Sequence, residues 1–378
     1  MKWSWKLGNF AGIDVKIHAT FVLLLGFIGL SHWLADGNWQ AAATGVGFML
    51  ALFLCVVLHE YGHALTARRY GIPTRDITLL PIGGVARLER MPEKPAQEFW
   101  VAAAGPAVNL VIASALMSVL IFTGNFTPLS QLSFTEGPFL ERLMVANVWL
   151  VLFNLIPAFP MDGGRLLRAL LASRLDYPRA TQIAASLGQA LALVFGFVGL
   201  FSNPFLIFIA LFVWIGAAQE AGAMQMRAAF SGTPVHAAMV TDFQTLAPGN
   251  TLSDAARLVL RGSQQDFPVV QEGHVVGILT RTDLLRALAE QSDQLPVTAV
   301  MQSDFLTANA HDMMEPLFQK LSAHECHTMP VLHAGRLVGV VTMDNVGEYF
   351  MIESARRKNP RTPPSPLVRN EFASATRS

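Results

Sequence analysis

Residues 48–63 read FMLALFLCVVLHEYGH, an apolar run that ends in an HExxH pattern. On a helix, His59 and His63 lie at positions i and i+4, so both imidazoles project from one face and can share a metal ion. Glu60 lies between them and is placed to take a proton from a water at that ion. Ionisable side chains beside such a run are costly in lipid and indicate function. The stretch therefore predicts zinc-dependent water chemistry at membrane depth.

The composition of the whole chain is that of a membrane protein diluted by a soluble part. Of its 378 residues, 52% are hydrophobic and 14% are charged, against roughly 25% charged residues in a typical soluble domain. The formal net charge is zero, which gives no case for a nucleic-acid partner. Cys55 and Cys326 lie in different segments and predict no disulfide framework.

Six segments are apolar enough and long enough to cross a lipid bilayer. They are residues 17–35, 41–67, 99–123, 140–159, 181–201 and 204–222. Basic residues are concentrated in alternate loops, which by the positive-inside rule predicts a multi-pass protein of the cell (inner) membrane. The N-terminus and everything after the sixth segment are then cytoplasmic. The basic residues of the predicted cytoplasmic side are Lys2, Lys6, Lys16, Arg68, Arg69, Arg75, Arg87, Arg90, Lys94, Arg165, Arg168, Arg174, Arg179 and Arg227.

A catalytic zinc ion usually has three protein ligands, and Asp162 is the best candidate for the third. Pro157 and Pro160 are expected to break the fourth helix just before it, on the predicted cytoplasmic side where His59 and His63 also lie. Two alternatives remain open. Asp162 could be a helix N-cap, and the histidines could be a buried pair bonded to carbonyl groups.

Four motifs together resemble the site-2 protease family of intramembrane zinc metalloproteases. They are His59-Glu60-Tyr61-Gly62-His63, Pro81-Ile82-Gly83-Gly84-Val85-Ala86, Gly105-Pro106-Ala107-Val108-Asn109, and Asn154…Pro157…Pro160-Met161-Asp162-Gly163-Gly164-Arg165. The family has Leu-Asp-Gly where this chain has Met161-Asp162-Gly163, which leaves the ligand in place. The resemblance implies one Zn²⁺ per chain, held by His59, His63 and Asp162, with Glu60 as the catalytic base. It implies hydrolysis of peptide bonds within or next to transmembrane helices of membrane-anchored substrates.

Other residues near the expected site have two alternative roles each. The resemblance implies that the Asn154 amide stabilises the oxyanion, whereas a hydrogen bond between helices is the alternative. Gly83 and Gly84 interrupt a β-prone stretch, residues 76–88, which could hold an unwound substrate by main-chain hydrogen bonds or form a tight turn. Asn109 is a candidate for substrate binding, although a hydrogen bond between helices near the site is favoured. Gly105 and Pro106 are expected to kink the third helix.

A repeat with an offset of 62 residues occupies the second part of the chain. Val235, Ala237 and Met239 match Val297, Ala299 and Met301, and the match continues through Pro268 and Pro330 to Thr280 and Thr342. Each copy is predicted as strand, helix, strand, strand, helix. The two copies resemble a tandem pair of CBS motifs, which pack as one small α/β module.

The CBS resemblance implies an adenine nucleotide in the cleft between the copies. Thr280 and Asp283 fit the binding pattern, with Asp283 placed to bond ribose hydroxyls. The second copy has Asn345 at the equivalent position, which weakens the case for a second site. A homodimerisation module with an empty cleft is the alternative. In either case the module is expected to regulate access to the zinc site.

The sequence thus predicts a multi-span α-helical membrane protein with a small membrane-associated β segment, joined to a cytoplasmic α/β CBS pair. The expected divisions are a six-helix domain at residues 1–222, a linker at 223–232, the pair at 233–352 and a disordered tail at 353–378. The partners would be a transmembrane substrate and the lipid bilayer. A zinc-dependent membrane transporter or sensor gated by the CBS module, and a scaffold that does not cut, are the competing functions. Glu60 between two ligands favours hydrolysis, because transport needs no base there.

Overall fold

The structure, a computed structural model, describes residues 3–89, 92, 94–124, 137–290, 292–324 and 326–358. The chain divides into two compact units, Met1–Met224 and Gln225–Ser378. Arg90 and residues 359–378 of the predicted tail lie outside the described residues.

The first unit contains a four-stranded sheet with the order β1-β2-β3-β4. The strands are β1 (Ser4–Phe10), β2 (Ile13–His18), β3 (Thr74–Leu80) and β4 (Gly83–Leu88). Two antiparallel hairpins are joined by parallel pairing of β2 with β3. The β3–β4 hairpin falls in the stretch predicted to be β-prone. The N-terminal hairpin is absent from the prediction, because its pairing partner β3 is about 60 residues away along the chain.

Seven helices follow or interrupt this sheet in the described part of the first unit. They are α1 (Ala19–Asp36), α2 (Trp39–Arg69), α3 (Pro95–Phe122), α4 (Phe139–Asn154), α5 (Asp162–Ala172), α6 (Tyr177–Phe201) and α7 (Phe205–Phe230). Among the described residues, α2, α3, α6 and α7 are long and apolar enough to cross a membrane, and α1 is a shorter apolar helix. The α4 helix has only 16 residues. Many large apolar side chains on these helices face outward, as contact with lipid requires.

The fourth predicted segment, residues 140–159, is divided in the structure. The α4 helix ends at Asn154, and an irregular segment leads to α5, a helix that the sequence does not predict. Pro157 and Pro160 exclude regular helix between the two because proline lacks an amide proton and crowds the preceding turn. Gly163 and Gly164 allow α5 to begin directly against this segment. A Cβ atom at Gly163 would lie 2.2 Å from the carbonyl oxygen of Ile156.

Two predicted boundaries differ from the helices that the structure contains. The α7 helix continues through residues 223–230, which the sequence assigns to a linker. Its alanines and methionines favour a helix as much as the apolar residues before them do. The final helix, α11 (Met343–Lys358), extends six residues into the segment 353–378 that is predicted to be disordered.

The second unit is built from the two repeats. The first contains a 3₁₀ turn at Val235–Ala237, α8 (Leu252–Arg261), β5 (Phe267–Gln271), β6 (His274–Leu279) and α9 (Arg281–Glu290). The second contains a 3₁₀ turn at Val297–Ala299, β7 (Ala308–Asn309), α10 (Met314–Ala323), β8 (Thr328–His333), β9 (Arg336–Thr342) and α11. The leading strand predicted for each copy is present as β7 in the second. In the first it is reduced to one bridge between Leu246 and Val269.

Each repeat pairs with a residue from the leading segment of the other repeat. Val240, which follows the 3₁₀ turn of the first copy, bridges Val340 of the second, and the equivalent Gln302 bridges Ile278 of the first. Asp266 and Thr328, which also stand at equivalent positions, are joined by a hydrogen bond between their side chains. The two copies therefore form a single module in which neither is complete alone.

Candidate metal centre

Three buried side chains from two helices converge in the first unit. His59 and His63 project from one face of α2, and Asp162 is the first residue of α5. The Nε2 atoms of the two histidines are 3.1 Å apart. Oδ2 of Asp162 lies 3.2 Å from Nε2 of His59 and 3.1 Å from Nε2 of His63. Within the part of the chain that the structure describes, no other cluster of three His, Cys, Asp or Glu ligand atoms converges in this way.

A chain of hydrogen bonds fixes which nitrogen of His59 carries the proton. The Asn147 amide nitrogen donates to the Leu143 carbonyl over 2.8 Å, which turns the Asn147 oxygen toward Asn109. Asn109 donates to that oxygen over 2.7 Å, so its own oxygen faces His59. Nδ1 of His59 must therefore be the donor in the 2.5 Å contact with Oδ1 of Asn109. The Nε2 atom is left with a bare lone pair.

His63 is held in the same tautomer by the backbone of α3. Its Nδ1 donates to the carbonyl oxygen of Val101 over 2.6 Å, and a carbonyl can only accept. When both imidazoles are neutral, two Nε2 lone pairs and one carboxylate oxygen therefore face each other. A metal cation would stabilise this arrangement, and metal-bound histidines commonly donate their second nitrogen in this manner.

The spacing of the three atoms and the donor set fit a zinc ion. Bonds of about 2.0 Å in tetrahedral geometry place neighbouring ligand atoms roughly 3.3 Å apart, close to the 3.1–3.2 Å found here. Two imidazoles and one carboxylate form the ligand set of catalytic zinc sites, which leave a fourth position for water.

Gly105 of α3 leaves the space that the ion needs. A Cβ atom at this position would lie 2.2 Å from Nε2 of His63 and 2.6 Å from Nε2 of His59. The sequence predicts only a helix kink from Gly105 and Pro106, whereas the structure places the missing side chain of Gly105 directly against the metal ligands. Alanine at this position would displace the imidazoles or the ion.

Glu60 and the β4 strand form one wall of the site. Oε2 of Glu60 accepts a hydrogen bond from the Ala86 amide over 3.3 Å. Gly84 lies so close to Glu60 that an added Cβ atom would be 2.8 Å from its Cγ atom. Gly83 has a φ angle of 135°, which side chains disfavour. The two glycines let an edge strand approach the Glu60 side chain.

A cavity of about 350 Å³ opens on the three ligands and Glu60. Asn154 and Arg165 line it, together with β4 and the segment before α5. The Asn154 amide nitrogen donates to the Leu150 carbonyl over 3.0 Å, a bond within its own helix region rather than between helices. Asn109 does not line this cavity; it is fully buried in the hydrogen-bond chain to His59.

The residues predicted to bind a nucleotide make helix-capping contacts in the second unit. The Thr280 hydroxyl donates to Oδ2 of Asp283 over 2.7 Å and accepts from the Asp283 amide over 3.1 Å. Oδ2 of Asp283 also accepts from Gln302. A cavity of about 310 Å³ lies at the equivalent position of the second copy, beside Thr342 and Asn345.

Asn147, the Val101 carbonyl and the role of Gly105 are absent from the prediction based on sequence. Asn147 is a polar residue in an apolar helix, and it could have indicated a contact near the site because buried polar groups need partners. A backbone carbonyl gives no signal of this kind.

Both parts of the chain match known protein families. The family model for Peptidase family M50 matches residues 47–137 and 137–195, and the CBS domain model matches residues 235–290 and 297–351. The chain is 32% identical to zinc metalloprotease MJ0392 of Methanocaldococcus jannaschii over 348 residues, which cover 92% of this chain and 96% of that protein.

Two further similarities correspond to the separate units. The solved site-2 protease from Methanocaldococcus jannaschii is 39% identical, with a TM-score of 0.43, over 58% of this chain and 95% of that one. The CBS domain-containing protein YhcV of Bacillus subtilis is 31% identical over 110 residues, 29% of this chain and 79% of that protein. With its zinc-type ligand set and its near full-length relative, the chain belongs to peptidase family M50 as a zinc metalloprotease of the site-2 type, with a tandem CBS unit.

Proposed function

We propose that the enzyme hydrolyses peptide bonds within or next to transmembrane helices of membrane-anchored proteins. The observation that carries this proposal is the cavity that joins the three metal ligands and Glu60 to the edge strand β4. The site lies among helices long enough to cross a membrane, so its substrates would be membrane proteins.

Glu60 is the proton carrier of the proposed reaction. His59, His63 and Asp162 would hold the ion, one per chain; when bound, zinc supplies a Lewis acid that activates water and polarises the scissile carbonyl. The Glu60 carboxylate accepts the proton of the attacking water and delivers it to the nitrogen of the departing chain. Asn154 has a second amide proton besides the one given to Leu150, and we assign that proton to the oxyanion.

The substrate would be bound as an added strand on β4. A helical peptide hides its carbonyl groups in its own hydrogen bonds, so it must unwind before one can be attacked. An edge strand holds the unwound segment through main-chain hydrogen bonds. Gly83 and Gly84 line the cavity and add no side chain to that wall at two successive positions. We assign Asn109 to the orientation of His59 rather than to the substrate.

The proposed topology has six membrane crossings. The α1 and α4 helices, with 18 and 16 residues, are short and would cross with the help of flanking residues. The distribution of Lys and Arg between alternate loops supports a cytoplasmic N-terminus and a cytoplasmic CBS unit.

The CBS unit is proposed to bind an adenine ligand, to form a homodimer and to regulate cleavage. The cavity beside Asn345 is lined by Asp242, Asp266, Asp344 and Glu348, and no Lys or Arg is among its described lining residues. Phosphate groups would be repelled there. The lining therefore favours an adenine nucleoside that carries little negative charge. Deletion of residues 231–378 should abolish any response of cleavage to such a ligand; an unchanged response would remove the regulatory role.

The proteolytic function is tested with the purified full-length protein in detergent and a membrane-anchored peptide substrate. Wild type should cleave it, and a zinc chelator should stop cleavage. Glu60→Gln should lower kcat by about 100-fold or more while the zinc content stays at one ion per chain. The exposed Glu89→Gln is the matched control and should retain wild-type turnover. Wild-type turnover in Glu60→Gln would exclude the base role of Glu60.

A further inference from the structure

Arg168 is buried in the α5 helix, although the sequence places it among the loop cations. Its side chain is only 2% exposed. Nε and Nη2 donate to Oε1 of Glu98 on α3 over 2.8 and 2.6 Å, and Nη1 donates to Oε1 of Glu220 on α7 over 2.6 Å. The guanidinium therefore ties three helices together.

Two aromatic rings complete this network. The guanidinium carbon lies 5.0 Å from the ring centroid of Phe159 and 5.4 Å from that of Tyr177 on α6. The Tyr177 hydroxyl donates to the other carboxylate oxygen of Glu98. Such a network is expensive to bury, because the Arg168 guanidinium and the Glu98 carboxylate lose their water, and the half-buried Glu220 loses part of its water. The mechanism of peptide hydrolysis uses none of them.

Two residues of this network flank Asp162, the third metal ligand, along the chain. Phe159 precedes Asp162 by three residues, and Arg168 follows it by six. The α5 helix has only 11 residues and is preceded by irregular backbone, so its own hydrogen bonds cannot hold it in place. Its position depends on tertiary contacts. Arg168 provides ion pairs to α3 and α7 and a cation–π contact to the Tyr177 ring on α6.

The same network reaches the helix that orients His63. Glu98 precedes Val101, whose carbonyl accepts from His63, by three residues, and precedes Gly105 by seven. These spacings place Glu98 near the same face of α3 as both residues. One ion-pair network is thus anchored on α3, beside the histidine ligands, and on α5, which carries the carboxylate ligand.

We propose that Arg168 is a positioning residue that sets the distance between Asp162 and the histidine pair. With Glu98, Glu220 and Tyr177, it fixes α5 against α3, α6 and α7, so that the carboxylate meets Nε2 of His59 and of His63. The proposal rests on the metal site described above. The planar guanidinium presents its donors to both carboxylates in a fixed geometry, whereas the compact ammonium of lysine on a flexible stem has no such fixed fork.

The test measures zinc affinity and ligand geometry in folded protein. Full-length wild type, Arg168→Lys, Glu220→Gln and Tyr177→Phe are stripped of metal in detergent and titrated with Zn²⁺ against a fluorescent chelator. The same proteins loaded with Co²⁺ report ligand geometry through their absorption bands. Arg179→Gln is the matched control, because Arg179 is exposed and pairs with the exposed Asp176.

We expect Arg168→Lys and Glu220→Gln to weaken Zn²⁺ binding by about 10- to 100-fold and to change the Co²⁺ spectrum. Tyr177→Phe, which keeps every charge, should have a smaller effect in the same direction, and Arg179→Gln should match wild type. A network that only stabilises the fold would lower the unfolding temperature and leave the affinity and spectrum of folded protein unchanged. An unchanged affinity and spectrum in folded Arg168→Lys would overturn the proposal. If Arg168→Lys does not fold, the same result in Glu220→Gln would overturn it. Failure of wild type to bind Zn²⁺ would instead overturn the metal site itself.

Discussion

Asn109 of α3 accepts a hydrogen bond of 2.5 Å from Nδ1 of His59, which belongs to α2. Asn109 is in turn fixed by Asn147 of α4, whose amide is anchored on a backbone carbonyl. Three neighbouring helices therefore decide which nitrogen of one imidazole is free to bind metal.

Replacement of Asn109 by leucine should weaken zinc binding by about 10- to 100-fold, because His59 loses the partner that fixes its tautomer and orientation. Chelator competition on the full-length protein measures the affinity. Ser114→Ala is the control, since its hydroxyl bonds only the carbonyl of Leu110 on the same helix. A raised KM with unchanged zinc affinity would assign Asn109 to substrate binding instead.

Gly105→Ala should eliminate zinc binding without unfolding the protein. The added methyl group would occupy the space between the two imidazoles, 2.2 Å from Nε2 of His63. Metal analysis after gel filtration provides the measurement. Gly47→Ala on α2, where a Cβ atom meets nothing within 4 Å, should keep one zinc per chain. A fully loaded Gly105→Ala variant would contradict the assigned site.

Gly84→Ala should lower kcat by about tenfold or more while zinc stays bound, because its methyl group would press on Glu60, 2.8 Å from Cγ. Steady-state cleavage together with zinc analysis tests this. A variant with normal kcat would show that the Glu60 side chain can move away from the added methyl group without loss of its function.

The cleft beside Asn345 should discriminate ligands by charge. Adenosine is expected to bind at least about tenfold more tightly than AMP or ATP, because four carboxylates line the cavity. Calorimetric titration of the full-length protein compares the three ligands. Asp344→Asn should reduce the difference, and Asp293→Asn, outside the lining residues, should not. Tighter binding of ATP than of adenosine in wild type would refute the proposed preference.

The Thr251–Asp254 capping box should contribute to the stability of the CBS unit. The Thr251 side chain accepts from the Asp254 amide, and Asp254 accepts from the Thr251 amide over 2.9 Å. Thr251→Ala should cost about 1 kcal/mol of unfolding free energy. Hydrogen bonds from Thr251 and Arg257 hold the pKa of Asp254 below its usual value.

The sign of the pH dependence follows from that lowered pKa. The stabilisation is fully present above the ordinary aspartate pKa of about 3.9 and is lost as the pH falls through the lower folded-state pKa. Chemical denaturation between pH 3 and pH 6, with Asp242→Asn as control, measures this. An Asp254→Asn variant that loses as much stability on acidification as wild type would exclude the contribution.

Much of the metal site could be predicted, because its signals are local in sequence. The helical spacing of His59 and His63 is sufficient to place both on one face. Asp162 required one further step, the deduction that it lies on the same side of the membrane. The positions of the long helices, though not every boundary, follow from apolar runs, and the two repeats follow from their self-similarity.

The features that could not be predicted depend on contacts between distant segments. The β1–β2 hairpin is specified by its pairing with β3. In the sequence Arg168 looks like an ordinary loop cation, because Glu98 and Glu220, which pair with it in the fold, are distant along the chain. In both cases the deciding partner is between about 50 and 70 residues away along the chain. The α5 helix, by contrast, is amphipathic in sequence, so the spacing of its apolar residues was a signal that the prediction missed.

The exchanged bridges of the second unit, Val240 with Val340 and Gln302 with Ile278, constrain how this module can have arisen. A single ancestral copy could obtain this bridge to its hairpin only from the leading segment of another molecule. Two identical chains would have satisfied each other reciprocally, and gene duplication would then have converted that symmetric association into one continuous polypeptide. Cleavage of the present chain between the repeats should accordingly yield fragments that remain associated.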